Sequence, residues 1–139
     1  IANKGKLITP SVLKQEAPRV TQNLPIAEES FTVVQEGMRQ GVLFGTAAGL
    51  NIPGFSIAAK TGTAELGISK ERVNSWVTGF FPYEKPQYAF ALVMERGARQ
   101  NTIGGVFVAR RLFEWMLEHT PEYASTALLG AAELKKRAE

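Results

Sequence analysis

Phe55-Ser56-Ile57-Ala58-Ala59-Lys60-Thr61-Gly62-Thr63-Ala64-Glu65 is the stretch on which the fold turns. The largely apolar residues 55–59 follow a glycine-, alanine- and proline-rich segment, 45–54, so a loop leads into a short buried strand. Lys60 ends that run with a cation, followed by Thr-Gly-Thr. A Lys-Thr-Gly tripeptide alone is weak, because three specified residues recur by chance about once in several thousand positions. Its ordinary reading is a solvated surface lysine, so the flanking sequence decides.

Downstream, residues 74–82 and 87–96 read as two strands joined by the turn Pro82-Tyr83-Glu84-Lys85-Pro86. Residues 88–94 are apolar at every position, which predicts a strand covered on both faces and a central sheet. After Gly104-Gly105, the residues Val106, Ala109, Leu112, Phe113, Met116 and Leu117 recur at helical spacing, with His119 at the end and Pro121 beyond. Upstream, Ser30 is the expected N-cap of a helix carrying Phe31, Val34, Met38 and Val42 on one face, closed by Gly41 and Gly45. Residues 1–4 read as the end of a helix that began earlier, with Gly5 as its left-handed cap, and residues 11–27 as a short strand and an irregular connection. The fold class expected is α/β in the α+β sense, an antiparallel sheet covered by helices. No linker is clear enough to divide the chain, and residues 120–139 read as a C-terminal tail able to form a helix.

Composition narrows the functions. At 139 residues and 45% hydrophobic content the chain can bury a core. It opens on Ile1-Ala2-Asn3 without Met or a leader pattern, so the expectation is a piece whose beginning lies elsewhere. No apolar run reaches the roughly 18 residues of a membrane span. The absence of Cys excludes disulfides, thiolate metal sites and a cysteine nucleophile. The net charge of +3 is partly terminal, at Lys135, Lys136 and Arg137, and otherwise scattered, which argues against nucleic acid as a partner.

Four matches then carry a resemblance. Lys60 to Glu65 spell K-T-G-T-A-E; Ser75-Trp76-Val77-Thr78-Gly79-Phe80-Phe81-Pro82 is similar to S-W-F-x-G-F-x-P; Glu95-Arg96-Gly97 with Gly104-Gly105 precede a long amphipathic helix; and Ala2-Asn3-Lys4-Gly5, Pro10 and Gly45-Thr46-Ala47 match A-N-x-G…P and G-T-A. In this order the segments resemble the C-terminal part of the transpeptidase domain of class B penicillin-binding proteins, most similar to the elongation type, over roughly residues 1–119. The family's signature is S-x-x-K, then S-D-N or a relative, then K-T-G, and only the third is identified here.

The resemblance implies a partial penicillin-binding/serine β-lactamase-like fold and a D,D-transpeptidase that cross-links peptidoglycan stem peptides through an acyl-serine and binds β-lactams, the serine lying outside this chain. It implies catalytic roles for Lys60 and Thr63 and substrate-binding roles for Thr61, Gly62 and Thr63. The Thr63 backbone N–H would be one donor to the developing oxyanion, Gly62 would let substrate lie against the strand, the Thr61 and Thr63 hydroxyls would bind a D-Ala-D-Ala-like carboxylate, and Lys60 would hold that carboxylate and the second motif. No metal and no cofactor is implied. The partners implied are stem peptides, β-lactam antibiotics, the missing N-terminal part of the same protein, and the elongation or division machinery. The location implied is the extracytoplasmic, periplasmic side of the bacterial membrane, anchored by a segment absent from this chain. Alternatives within the fold are a carboxypeptidase or a β-lactamase, and outside catalysis a β-lactam-sensing domain.

Several other patterns are decoys. Ser11-Val12-Leu13-Lys14 has the form S-x-x-K and Thr21-Gln22-Asn23 imitates the second motif, but Ser11 follows Pro10 in an expected strand, where residues three apart face opposite ways. His119 alone builds neither a triad nor a metal site and reads as a helix-end surface residue. Trp76 and Trp115 read as core. Glu65 and Glu95, on strands expected to be neighbours, lack any sugar-binding context.

Overall fold

The computed structural model of the chain describes residues 1–12, 19–100 and 103–124. In chain order these form β1 (Lys6–Thr9), β2 (Arg19–Asn23), α1 (Glu28–Leu43), a 3-10 turn (Ala48–Leu50), β3 (Ala58–Leu66), β4 (Arg72–Phe81), β5 (Tyr88–Ala98), α2 (Gly105–His119) and a second 3-10 turn (Pro121–Tyr123). All strand pairing is antiparallel: β1 with β2 in one sheet, and β3-β4-β5 in a separate three-stranded sheet. The α+β class expected from the sequence is what the chain adopts.

Alternation along the strands divides the larger sheet into two faces. Ala59, Thr61 and Thr63 share one face with Gly79, Val77 and Ser75 of β4 and with Phe90, Leu92 and Met94 of β5. This face meets α2. Phe113 of α2 inserts among Phe55, Phe81 and Phe90 with ring centroids 5.0, 5.2 and 5.1 Å away, and Val42, Leu50, Ile57, Ala59, Val77 and Ala109 complete the core. The opposite face carries Lys60, Gly62, Trp76, Thr78, Ala89, Ala91 and Val93, and is exposed or half-exposed along this length.

The contact of α2 with the sheet depends on glycine. A Cβ on Gly105 would lie 2.9 Å from the Ser75 carbonyl oxygen and 3.2 Å from the Val77 nitrogen, and one on Gly104 would lie 2.6 Å from the Ser75 hydroxyl. The Gly105 N–H instead donates to Ser75 Oγ at 2.9 Å, so a strand hydroxyl serves the helix end that its own N-cap residue, Gly104, leaves without a side-chain partner. At the other corner α1 is tied to the sheet by Arg39 Nη1 donating to the Ile57 carbonyl at 2.8 Å, and to the β4–β5 turn by the Tyr83 hydroxyl donating to Glu36 Oε2 at 2.7 Å.

Several expectations need correction. Helix α1 starts at Glu28, with Ala27 as N-cap, and Ser30 sits inside its first turn; Glu28 and Glu29 suit the positive end of the helix dipole, and Lys4 pairs with Glu28. Of the expected apolar face, Phe31 and Val42 are buried, Met38 is half-buried and Val34 is exposed. Residues 1–4 form a turn rather than a helix end, although Gly5 takes the left-handed conformation at φ +84°. Phe55 and Ile57 are buried and Ser56 is half-buried, but all three precede the strand, because the Ser56 and Ile57 carbonyls are taken by the Tyr83 N–H and Arg39 instead of a ladder. Among the described residues strand β5 is the edge of its sheet and is covered on one face, by α2, where the sequence predicted cover on both. Ser11 lies beyond β1, not in a strand, while Lys14 and the tail at 125–139 lie outside the described residues.

Gly105→Ala should cost about 1–3 kcal/mol of stability by forcing the helix off the strand. Gly37→Ala, in α1 with nothing within 4 Å of the added methyl, should gain about 0.5–1 kcal/mol. Urea denaturation midpoints of the two variants test the contrast.

Candidate functional site

Lys60, Thr61, Gly62 and Thr63 occupy the middle of β3, paired with Thr78, Val77, Trp76 and Ser75 of β4. Because β3 pairs only with β4 among the described strands, its outer edge is open along these residues. The apolar entry into the strand ends at Ala59; from Lys60 onward the side chains meet solvent. Strand alternation turns Thr61 and Thr63 towards α2 and Lys60 towards the opposite face, so the Lys60 side chain is not part of the groove wall on the α2 side.

The Lys60 ammonium donates to the Thr61 carbonyl, and the Thr61 hydroxyl shares a hydrogen bond with the Thr46 hydroxyl at 2.7 Å. Beside them lies an open groove of about 510 Å³ lined by Thr61, Gly62 and Thr63 from β3, Ser75 and Trp76 from β4, Thr46 and Gly49 from the segment after α1, and Gly104, Val106, Phe107 and Arg110 from α2. Strand edge, helix and connecting segment thus converge on one place. A Cβ on Gly62 would lie 3.5 Å from the Cβ of Trp76, an ordinary contact, so the fold itself does not demand glycine there.

One wall is electrostatically fixed. Arg110 donates through Nη1 to the Gly49 carbonyl at 3.0 Å and through Nε to Glu114 at 2.7 Å, with Arg111 reaching the other Glu114 oxygen at 3.2 Å. The Arg111 hydrogen bond, with Arg110 adding to it and burial acting in the opposite sense, holds the Glu114 carboxyl below the usual carboxylate range. A depressed folded-state value stabilises the folded arrangement above the carboxyl's ordinary pKa, and that contribution fades as pH falls through the lowered one.

Phe107 and Arg110 are groove residues that sequence reasoning missed, and so is Trp76, which borders the groove from β4 while its ring lies on the opposite face of the sheet. Trp76 was expected in the core, yet it is 44% exposed, opposite Gly62 on the open face. The absence of a side chain across the strand leaves its ring uncovered, and the strand register, once known, predicts that. Phe107 lies outside the helix stripe that marks the core. Trp115 is also not core; it is 51% exposed and stacks on His119 at 4.5 Å, and His119 Nδ1 meets the Trp115 carbonyl at the helix end, where a surface residue was expected. Glu65 and Glu95 do not sit on neighbouring strands, since β4 separates them, and Glu65 pairs with Lys70 and Arg99. Thr21 lies in β2, in a different sheet from the Lys-Thr-Gly strand, and Ser11 follows β1 outside either sheet.

The family whose sequence model matches is the penicillin binding protein transpeptidase domain, over residues 1–114. The chain belongs to that family. It is similar to the peptidoglycan D,D-transpeptidase MrdA of Acinetobacter baumannii, 27% identical across 84% of this chain and 20% of that protein. Among solved structures it is similar to Pseudomonas aeruginosa PBP2 in complex with WCK 5153, with TM-score 0.67 and 27% identity over 88% of this chain and 30% of the other. It is also similar to the imipenem acyl-enzyme complex of penicillin-binding protein A from M. tuberculosis, with TM-score 0.62 and 27% identity over 84% of this chain and 28% of that one. The chain thus spans a fifth of the curated relative and under a third of either solved penicillin-binding protein.

Ser75→Ala should remove the hydroxyl that receives the α2 N-terminus and cost about 1 kcal/mol. Gly62→Ala should leave stability unchanged or raise it by up to about 1 kcal/mol. Thermal denaturation followed by circular dichroism separates the two.

Proposed function

We propose that this chain supplies the C-terminal wall of the active site of a class B penicillin-binding protein of the elongation type, a D,D-transpeptidase that cross-links peptidoglycan stem peptides. The observation that carries the reading is the open edge of β3 at Lys60-Thr61-Gly62-Thr63 beside a groove, within a chain that matches the penicillin-binding transpeptidase family. Residues 1–119 belong to the domain in this reading, and 120–139 form a tail.

A serine from a preceding part of the same protein attacks the penultimate D-Ala carbonyl. The C–N bond to the terminal D-Ala breaks, that residue leaves as a protonated amine, and the acyl group passes from serine to an amine of a second stem peptide. The Thr63 backbone N–H is one donor to the oxyanion formed in each half-reaction. Thr61 and Thr63 hydroxyls bind the terminal carboxylate, and Gly62 allows the peptide to lie along β3 as an added strand. Lys60 supplies positive charge to that carboxylate and to the second motif. The preceding part of the domain also covers the exposed sheet face at Trp76, Ala91 and Val93. β-Lactams acylate the same serine in this reading, which the imipenem acyl-enzyme complex of the M. tuberculosis relative supports. The site lies on the extracytoplasmic side of the membrane, with the anchor elsewhere in the protein and the elongation or division machinery as its context.

Labelling with a fluorescent penicillin tests this. The full-length protein should be labelled covalently at a serine outside residues 1–139, and the 139-residue chain alone should not. Lys60→Ala in the full-length protein should slow acylation about 10- to 100-fold, the worth of a charge-assisted hydrogen bond. Labelling of the short chain at Ser11 would overturn the assignment. An acyl-enzyme that hydrolyses within seconds would point to a β-lactamase instead.

A further inference from the structure

We infer that Thr46 is a positioning residue for the site: its hydroxyl orients the hydroxyl of Thr61, the middle residue of the Lys-Thr-Gly strand, so that Thr61 donates into the groove. The inference rests on β3 being the substrate-binding wall, and it concerns a residue to which neither the motif nor the chemistry above gives a role.

The segment carrying Thr46 is held from both sides. On the α1 side the Phe44 N–H donates to the Gln40 carbonyl at 2.9 Å and the Ala47 N–H to the Gly41 carbonyl at 3.0 Å. A Cβ on Gly45 would lie 2.9 Å from Gly41 backbone atoms, so the chain passes tightly over the helix end. On the α2 side Arg110, itself anchored by Glu114, holds the Gly49 carbonyl. Between these two anchors Thr46 Oγ1 lies 2.7 Å from Thr61 Oγ1, and both residues line the groove. Thr46 is exposed, so water is available to it, yet its hydroxyl is directed at the motif.

Proton counting gives the bond its direction. Each hydroxyl has one proton and two acceptor positions. An anionic ligand can only accept, so the hydroxyl that meets it must keep its proton for the ligand. Thr46 therefore donates to Thr61, and Thr61 donates outward. Without that partner, threonine at this position has more than one accessible χ1 well. With it, the rotamer is selected before the ligand arrives, and the first bond polarises the second in the same sense.

A double-mutant cycle in the full-length protein tests the inference through the second-order rate constant of penicillin acylation. T46V should lower it roughly 3- to 10-fold, the worth of one neutral hydrogen bond, and T46S should restore it. In a T61V background, T46V should have no further effect. A second readout does not depend on activity: three-bond couplings at the Thr61 methyl should report a single χ1 rotamer in the parent and averaging in T46V. Independent, multiplicative losses in the cycle, or an unchanged Thr61 rotamer in T46V, would overturn the role assigned to Thr46. If the parent protein is not acylated at all, the transpeptidase reading fails, and the rotamer measurement alone decides on Thr46.

Discussion

The first turn of α2 lies directly on the backbone of β4, and the rest of the arrangement follows from that close approach. Gly104 and Gly105 leave no side chain between the helix and Ser75-Trp76-Val77, and Ser75 offers a hydroxyl to the helix N-terminus. With the helix seated there, its next turns place Ala109 and Phe113 against Val77, Phe81 and Phe90 to make the core. The same seating brings Phe107 and Arg110 beside Thr61 and Thr63. Packing that stabilises the fold and geometry that shapes the groove are therefore one constraint. A helix displaced by the width of a methyl group would loosen both.

Much of this was legible in the sequence. The two β-hairpin strands around Pro82 and Pro86, the helix after Gly104-Gly105 and the Lys-Thr-Gly strand all have local signals, namely turn prolines, a 3.6-residue repeat and an apolar run ending in a charge. What was not legible depends on partners distant in sequence. Ser56 and Ile57 leave the ladder because Tyr83 and Arg39 take their carbonyls. Ser30 loses the capping role to Ala27, because the two preceding glutamates already suit the helix start. Residues 88–94 are uniformly apolar, as a strand covered on both faces would be, yet within the described residues only the α2 face is covered.

The candidate site divides the same way. Lys60, Thr61, Gly62 and Thr63 were singled out from the tripeptide together with its flanking sequence, and they are consecutive in β3. Trp76, Phe107 and Arg110 reach the groove only through register and helix rotation, which no local pattern encodes. Thr46 stands between these cases. Its Gly-Thr-Ala setting was recognisable, but its contact with Thr61 spans two secondary-structure elements.

Strand β5 has a consequence for how such a polypeptide must be made. Residues 88–94 carry no charge, no proline and no glycine, and their strand has no neighbour on its outer side among the described residues. Stretches of that composition on an unpaired edge are templates for cross-β association. The charged residues Glu95 and Arg96 sit only at one end of the run. A molecule with this edge bare would favour self-association over solubility, so chaperone protection matters most while that edge is exposed.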